Sequence, residues 1–292
     1  MNLPARRRAF APLAAALVTS LVLTGCSQAE KQHDVDALRH SIPTHGAALV
    51  AGTLQLTLTS ASISGDRQVP VHTGATEIIP FLAAPAQRRF ALLSTRGVPL
   101  LLVSNRTLYA QRTTQSPHER RPWLRLELAH VDNVSSPDLL ELMQVSGPAH
   151  FVVLSPQLLL DLLSGALTGS VRRTGQDYRF NVSLDKATRT LKLSEDTSKD
   201  RLKVLRSLAI SDDISPASAT LRPDGTLAKL TLTFTSRPDK QAAIREQAVL
   251  TTQPMTDAAV PPTLAVPERS TTIRVSTLGD IFAALAARLG AT

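Results

Sequence analysis

Hydrophobic and polar residues alternate in several separate segments of the chain. In TLQLTLT, Leu54, Leu56 and Leu58 alternate with polar residues, and in WLRLEL the residues Leu124 and Leu126 do the same. A period of two is typical of a strand with one buried face. We therefore predict strands in both segments. Further strands are predicted over residues 88–95, 98–104 and 107–112.

Hairpins are indicated where two alternating segments flank a turn. SVRRTGQDYRFNVSLD is expected to turn at its Thr-Gly-Gln-Asp stretch, with Tyr178, Phe180 and Val182 on one face. ASATLRPDGTLAKLTLTF is expected to turn at its Pro-Asp-Gly triplet, because proline presets φ and glycine accepts a positive φ. After that turn, Leu230 and Leu232 share one face.

Apolar residues at helical spacing predict helices between the strands. One helix covers residues 34–42, and another begins at Ser155 before proline and runs through QLLLDLLSGAL, with Leu159 in its apolar stripe. Serine followed by proline is a good start signal, since an N-cap precedes a residue already fixed in helical φ. Further helices are predicted from Ser136 onward, over residues 198–208 and over residues 276–289, the last capped by Thr277.

These elements indicate a mixed fold built on antiparallel strands. The proline-bearing segments 64–87 and 253–267 are predicted to be irregular, and TTIRV is predicted to be a short edge strand. An antiparallel sheet can leave one face in water while helices cover the other. The predicted fold class is therefore α+β, with a strongly curved antiparallel sheet, or half-barrel, and helices packed in its concave face.

The first 26 residues have the features of an export signal. Arg6, Arg7 and Arg8 precede FAPLAAALVTSLVL, a charge-free stretch that is short for a membrane span. Leu23-Thr24-Gly25-Cys26 follows, and Cys26 is the single cysteine of the chain. This tetrapeptide resembles the bacterial lipobox, which implies that the Cys26 thiol receives a diacylglyceryl group and that acyl chains such as palmitate anchor the protein. An uncleaved membrane anchor and a plain secreted protein are the alternatives.

The charged residues do not change the interpretation of the chain as an exported, lipid-anchored protein. The chain has 32 basic and 24 acidic residues, and three of the basic ones lie in the expected signal peptide. Short basic clusters such as Arg172-Arg173 are interpreted as a solvated face, with attraction to anionic lipid head groups as the functional alternative. We predict no nucleic-acid partner, because the aromatic residues do not interleave with the arginines as stacking platforms would.

The order of elements resembles that of the actinobacterial LppX/LprG-type lipoproteins, relatives of the lipoprotein carriers LolA and LolB. The resemblance rests on LLLVSNRTLYAQR, RPWLRLEL, TGQDYRFNVSLD and SATLRPDGTLAKLTLTF, which together fall between residues 50 and 240. It implies a half-barrel whose apolar cavity takes the acyl chains of a lipid or glycolipid. The implied lining consists of Leu124, Leu126, Leu159, Phe180, Val182, Leu230 and Leu232. The alternative is that these side chains pack against one another as ordinary core.

No sequence motif for catalysis or metal binding is evident. The chain lacks a G-x-S-x-G elbow, and His118-Glu119 begins like a zinc motif without its second histidine. We therefore predict no catalytic residues, no metal, no cofactor and no enzymatic activity. An enzyme whose residues assemble only in space is the open alternative.

We predict four segments: a lipoprotein signal peptide at 1–25, a lipidated tether with a short helix at 26–46, a half-barrel domain at 47–250, and a C-terminal segment at 251–292. The protein is expected on the extracytoplasmic face of the cell membrane, held there by its acyl anchor. Two functions compete. One is binding or transfer of lipid in the envelope, and the other is binding an envelope protein through residues 64–87 or the C-terminal helix.

Overall fold

The computed structural model describes residues 32–42, 49–64, 67–105, 107–112, 122–127, 155–165, 167–190, 214–236, 242–255 and 262–289. Cys26, the predicted signal peptide, and the predicted helices from Ser136 and over 198–208 lie outside these residues. The statements below concern the described part of the chain.

Twelve strands and four helices make up this part of the chain. The strands are β1 (Leu49–Ser64), β2 (Arg67–Ala84), β3 (Arg89–Leu93), β4 (Pro99–Ser104), β5 (Thr107–Gln111), β6 (Trp123–Glu127), β7 (Leu167–Thr174), β8 (Asp177–Ser183), β9 (Ile214–Leu221), β10 (Leu227–Ser236), β11 (Ala242–Met255) and β12 (Thr272–Arg274). The helices are α1 (residues 32–40), α2 (Pro156–Gly165), α3 (Leu184–Thr190) and α4 (Leu278–Leu289).

All twelve strands belong to one sheet, ordered β12-β6-β5-β4-β3-β2-β1-β11-β10-β9-β8-β7. Strands β1 to β6 follow one another across one half, and β7 to β11 across the other. The long antiparallel pair of β1 with β11 joins the halves, and β12 lies parallel to β6 at one edge. Within each half, consecutive strands are thus neighbours in space and pair in antiparallel fashion.

The structure confirms a sheet-rich fold with antiparallel pairing. It does not show the predicted half-barrel with helices in its concave face, because the sheet is broad and open and the helices are few. The sheet is broader than predicted because more of the chain forms strands than the sequence pattern indicates. Two segments that the sequence pattern does not assign to strands are β2 and β11, and they lie on either side of β1.

β2 contradicts the expectation that residues 64–87 are irregular. That expectation rests on the prolines, since proline cannot donate a ladder hydrogen bond. Pro80 is opposite Thr53 of β1, whereas β3 pairs with β2 only from Phe81 onward. One side of Pro80 therefore has no neighbouring strand among the described residues, and a proline is tolerated there.

β11 is absent from the predicted strands because its buried positions are not uniformly apolar. Glu246, Ala248, Leu250 and Thr252 alternate with more exposed neighbours and are buried. Two of these four residues are polar and one is small, so the alternating hydrophobic signal is weak. Its cross-strand neighbours are apolar, since Leu56 of β1 and Leu232 of β10 face Ala248.

The main core lies on one face of the sheet. Aligned apolar residues continue from strand to strand, as where Leu54 of β1 faces Leu250 of β11, which in turn faces Leu230 of β10. Residues of α1, α2 and α4 belong to the same buried cluster. A smaller cluster on the opposite face includes Leu82 and Tyr109 and is covered by Leu264.

Two helix starts are confirmed in detail. The backbone N–H of Leu158 donates to Ser155 Oγ at 3.2 Å before α2, and the backbone N–H of Asp280 donates to Thr277 Oγ1 at 3.2 Å before α4. Each hydroxyl satisfies an amide that has no partner within its own helix.

Candidate ligand site

The seven predicted lipid-contacting residues all lie in the main core cluster. None is more than 9% exposed, and five of them are 1% exposed or less. Leu232 faces Ala217, which faces Phe180, so a row of apolar residues crosses β10, β9 and β8. Their role as lipid contacts stays a prediction, because burial in this cluster is equally consistent with ordinary core packing.

The seven residues fall in two parts of the sheet. Phe180, Val182, Leu230 and Leu232 are on β8 and β10, toward the β7 edge. Leu124 and Leu126 are on β6, toward the β12 edge, in the region where α4 packs against β4, β5 and β6. Leu159 lies on α2, which contacts β2, β3 and β7.

A small cavity lies at one end of this core. Its volume is about 10 Å³, which suffices for roughly one water molecule and not for an acyl chain. Its walls come from the end of α1, from α2 and from β1, β10 and β11. The lining residues are Ser41, Ile42, Val50, Leu160, Thr226, Leu227 and Thr252.

A much larger cleft opens to solvent beside this cavity. Its volume is about 500 Å³, within the size range of small-molecule sites. We call it the α1 cleft, because α1 forms one wall and the turns of the β7–β8 and β9–β10 hairpins form the other. The lining residues are His33, Ala37, His40, Arg173, Gln176, Tyr178, Leu221, Arg222, Pro223, Asp224, Gly225 and Thr226.

Helical spacing positions the α1 wall. His33, Ala37 and His40 are separated by four and three residues, which places them on one helix face. The Nδ1–H of His40 donates to the backbone carbonyl of Asp36 at 2.7 Å, because a carbonyl oxygen can only accept. This bond orients the ring and leaves its Nε2 to interact with other groups.

Arg222 is held by backbone carbonyls. Its guanidinium donates to the carbonyl oxygens of Leu227 and Thr252 and to Thr226 Oγ1. Neutral acceptors fix the position of a guanidinium without cancelling its charge. Arg222 therefore brings a well-placed positive charge to the hairpin wall.

Arg173 supplies a second positive charge on the same wall. Its guanidinium carbon lies 5.5 Å from the ring centre of Tyr178, and its Nε donates to the carbonyl of Gly175 at 2.9 Å. Its Nη1 is 3.7 Å from a carboxylate oxygen of Asp34. The side chain is 47% exposed, so the pair with Asp34 is accessible to solvent.

Asp224 is the one carboxylate that lines the α1 cleft. Hydrogen bonds from the Thr226 hydroxyl and then from the Thr226 backbone N–H lower the pKa of Asp224, and the charge of Arg222 lowers it further. The same bonds close the turn, with the hydroxyl at 2.7 Å and the N–H at 2.9 Å from Asp224 Oδ1. Asp224 therefore stays ionised, and its Oδ1 accepts hydrogen bonds from within its own turn.

The α1 cleft and the small cavity are neighbours, since Thr226 lines both. Ser41 and Ile42, which follow α1, line the small cavity and not the cleft. The backbone N–H of Leu227 donates to the carbonyl of Ser41 at 3.0 Å, and Ile42 closes the apolar side. A polar space that is open to solvent thus lies next to a small cavity at the end of the apolar core.

The sequence pattern does not reveal the α1 cleft, although it identifies two of its parts. It predicts both hairpin turns, and it shows Arg172-Arg173 as a basic cluster. The turns and α1 are far apart in the sequence, so no local pattern brings them together. The helical spacing of His33, Ala37 and His40 is the one signal on α1, and it lies beside the apolar stripe from which the helix was predicted.

Two kinds of feature are absent from the described ranges. No three His, Cys, Asp or Glu side chains come together there as a metal site. Of the helices in those ranges, none combines the length and apolar character needed to cross a bilayer.

No protein-family model and no curated protein matches the chain. Among solved structures, transferrin-binding protein B from Haemophilus parasuis Hp5 is 7% identical over 75% of the chain, with a TM-score of 0.20. Lipovitellin is 8% identical over 75% of the chain, with a TM-score of 0.27. The chain spans 27% and 26% of those two proteins. At such TM-scores neither likeness carries an argument.

Proposed function

We propose that this protein is an envelope lipoprotein, held on the extracytoplasmic face of the membrane through Cys26, that binds lipid non-enzymatically. The anchor is supported by the arginines, apolar stretch and lipobox-like tetrapeptide at the N-terminus. Kinship with the LppX/LprG-type lipoproteins is part of the same proposal and rests on the local motifs quoted above. The lack of catalytic motifs in the sequence supports a binding role.

The arrangement at the end of α1 carries the lipid-binding proposal. A solvent-accessible cleft of about 500 Å³ shares Thr226 with a small cavity at the end of the apolar core, and that cavity is lined by the short segment Ser41-Ile42. If this segment moves outward, an acyl chain can pass from the α1 cleft toward Leu230, Leu232 and Phe180. Each buried CH₂ group contributes about 0.8 kcal/mol, so burial of a long chain would offset the packing energy that α1 gives up when it moves.

Shortening Ile42 is expected to ease this passage. In Ile42→Ala, the wall of the small cavity loses three carbon atoms, and we expect the full chain to take up a fluorescent diacyl lipid from vesicles severalfold faster. Ile281→Ala on α4 is the matched control, because Ile281 is buried in the same cluster and does not line the cavity. Both changes cost about 2–5 kcal/mol of stability, so uptake is compared at equal folded fraction. Equal uptake by the two variants would contradict the proposed route.

Replacing Cys26 tests the anchor separately. The thiolate is the nucleophile that an acyl donor needs, and serine does not supply it. We expect Cys26→Ser to lose the mass of the diacylglyceryl group and to move from the membrane fraction toward the soluble fraction. Intact-mass measurement and fractionation give the result, with Ser27→Ala as the control. If Cys26→Ser differs from the wild type only by the mass of sulfur replaced by oxygen and keeps its location, lipidation at this residue is refuted.

The packing of the described core favours a second candidate function, in which the protein binds an envelope protein and takes up no lipid. The described cavity of about 10 Å³ is itself too small for a lipid ligand unless α1 moves. The surfaces predicted for such a partner are partly used within the fold, since residues 67–84 form β2 and α4 buries Ile281, Phe282 and Leu285. Failure of the wild-type chain to acquire lipid in the uptake assay would select this candidate.

A further inference from the structure

Two guanidinium groups and one carboxylate line the α1 cleft, and a second carboxylate, that of Asp34, lies 3.7 Å from Arg173 Nη1. Arg173 and Arg222 line the cleft, together with His33 and His40. The one carboxylate among the lining residues is that of Asp224, which accepts hydrogen bonds from Thr226 within its turn. Among the described carboxylates, none lies at ion-pair distance from Arg222, although its charge reaches Asp224.

We propose that the α1 cleft binds a phosphate group, as carried by the head group of an anionic phospholipid or by a free phosphate ester. This inference rests on the proposed lipid-binding function and names the ligand class. The guanidinium of Arg173 presents the planar, forked donors that match phosphate oxygens. Arg222 contributes charge from a fixed position at the hairpin wall.

The remaining lining fits an amphiphile better than a bare ion. Tyr178, Leu221 and Pro223 give the cleft an apolar side, against which a glycerol unit or the first part of an acyl chain can pack. Thr226 lines both the cleft and the small apolar cavity, which Ile42 also lines. A phosphate in the α1 cleft would thus leave the tail of the same molecule at the closed passage into the core.

Asp34 competes with the ligand for Arg173. Its carboxylate lies 3.7 Å from Arg173 Nη1, and its side chain is 18% exposed. A bound phosphate must therefore displace or share this contact. Removing the carboxylate frees the guanidinium and removes a repulsive charge, so a substitution at Asp34 is expected to strengthen binding.

The test is isothermal titration of the full chain, kept in a non-ionic detergent, with three soluble probes. These are dihexanoylphosphatidylglycerol, dihexanoylphosphatidylcholine and glycerol 3-phosphate. We expect the anionic lipid to bind at least about fivefold more tightly than the zwitterionic one, because a choline group offsets the phosphate charge. Glycerol 3-phosphate separates the two sources: if it binds as tightly as the anionic lipid, the ligand is a free phosphate ester.

Three variants locate the site. Arg173→Gln is expected to weaken binding of the anionic probe about tenfold. Asp34→Asn is expected to strengthen it about two- to fivefold. Arg179→Gln is the control, because it makes the same charge change at an exposed position of β8 that does not line the α1 cleft. Equal weakening by Arg173→Gln and Arg179→Gln would overturn the proposal, since it would reflect general surface charge.

Failure of this inference can be told from failure of the lipid-binding function. If the chain takes up neutral diacylglycerol from vesicles but binds both lipid probes equally, the phosphate site is wrong and lipid binding stands. If glycerol 3-phosphate binds with the predicted dependence on Arg173 and no lipid is taken up, the phosphate site stands and lipid binding is wrong.

Discussion

Substitution of Gly52 by alanine is expected to destabilise the protein by about 3 kcal/mol or more. A Cβ atom at this position would lie 1.8 Å from the carbonyl oxygen of Thr251 and 3.0 Å from Cε1 of Phe81. The oxygen belongs to β11, and it cannot withdraw unless β11 moves away from β1. Because this strand pair joins the two halves of the sheet, the cost is not confined to one side chain.

Urea unfolding followed by circular dichroism measures this effect as a lower midpoint with little change in slope. Gly279→Ala is the matched control. Gly279 lies in the first turn of α4. A Cβ atom added there would have Thr277 Oγ1, at 3.7 Å, as its nearest neighbour. Alanine is the better helix former, so the control should be neutral or stabilised by up to about 1 kcal/mol. Similar midpoints for the two variants would show that β1 and β11 do not approach closely at Gly52.

Substitution of Arg88 by glutamine is expected to cost about 3 kcal/mol, because it removes a cation that pairs with a buried carboxylate. Asp161 lies on α2 and is 6% exposed. Its Oδ2 accepts a hydrogen bond from Arg88 Nη2 at 2.9 Å, and its Oδ1 accepts one from Gln157 Nε2 at 3.0 Å. The ion pair ties α2 to the connection between β2 and β3.

A double-mutant cycle isolates this pair. Asp161→Asn removes the buried charge, and the Arg88 side chain is 34% exposed and can regain water. We therefore expect Asp161→Asn to cost less than Arg88→Gln, and the double variant to cost less than the sum of the single changes by about 1–3 kcal/mol. Additive effects in urea unfolding would show that the pair does not couple α2 to the sheet.

Local sequence pattern predicts the elements whose own residues carry the signal. The turn at Pro223 to Gly225 follows from its residue types, and Gly225 has a φ of 82°. The start of α2 at Ser155 follows from a serine before a proline. The buried faces of β6, β8 and β10 follow from strict alternation. In each case the local chemistry of one segment suffices.

The same reasoning fails where the neighbours of a segment decide its structure. Pro80 favours an irregular chain, yet one side of β2 there lacks a strand neighbour among the described residues. Glu246 and Thr252 weaken the apolar pattern on the inward face of β11, which is buried because β1 and β10 flank it. A prediction based on one segment has no access to such neighbours.

The sequence by itself determined that this protein contains alternating strands and apolar helices, because each depends on adjacent residues. Tertiary structure alone decided that the strands join in one open sheet and that α1 meets two distant hairpin turns to form a charged cleft. The physical reason is range: alternation, capping and turn preferences act over a few residues, whereas strand order and the convergence of charges depend on packing between segments far apart in the chain.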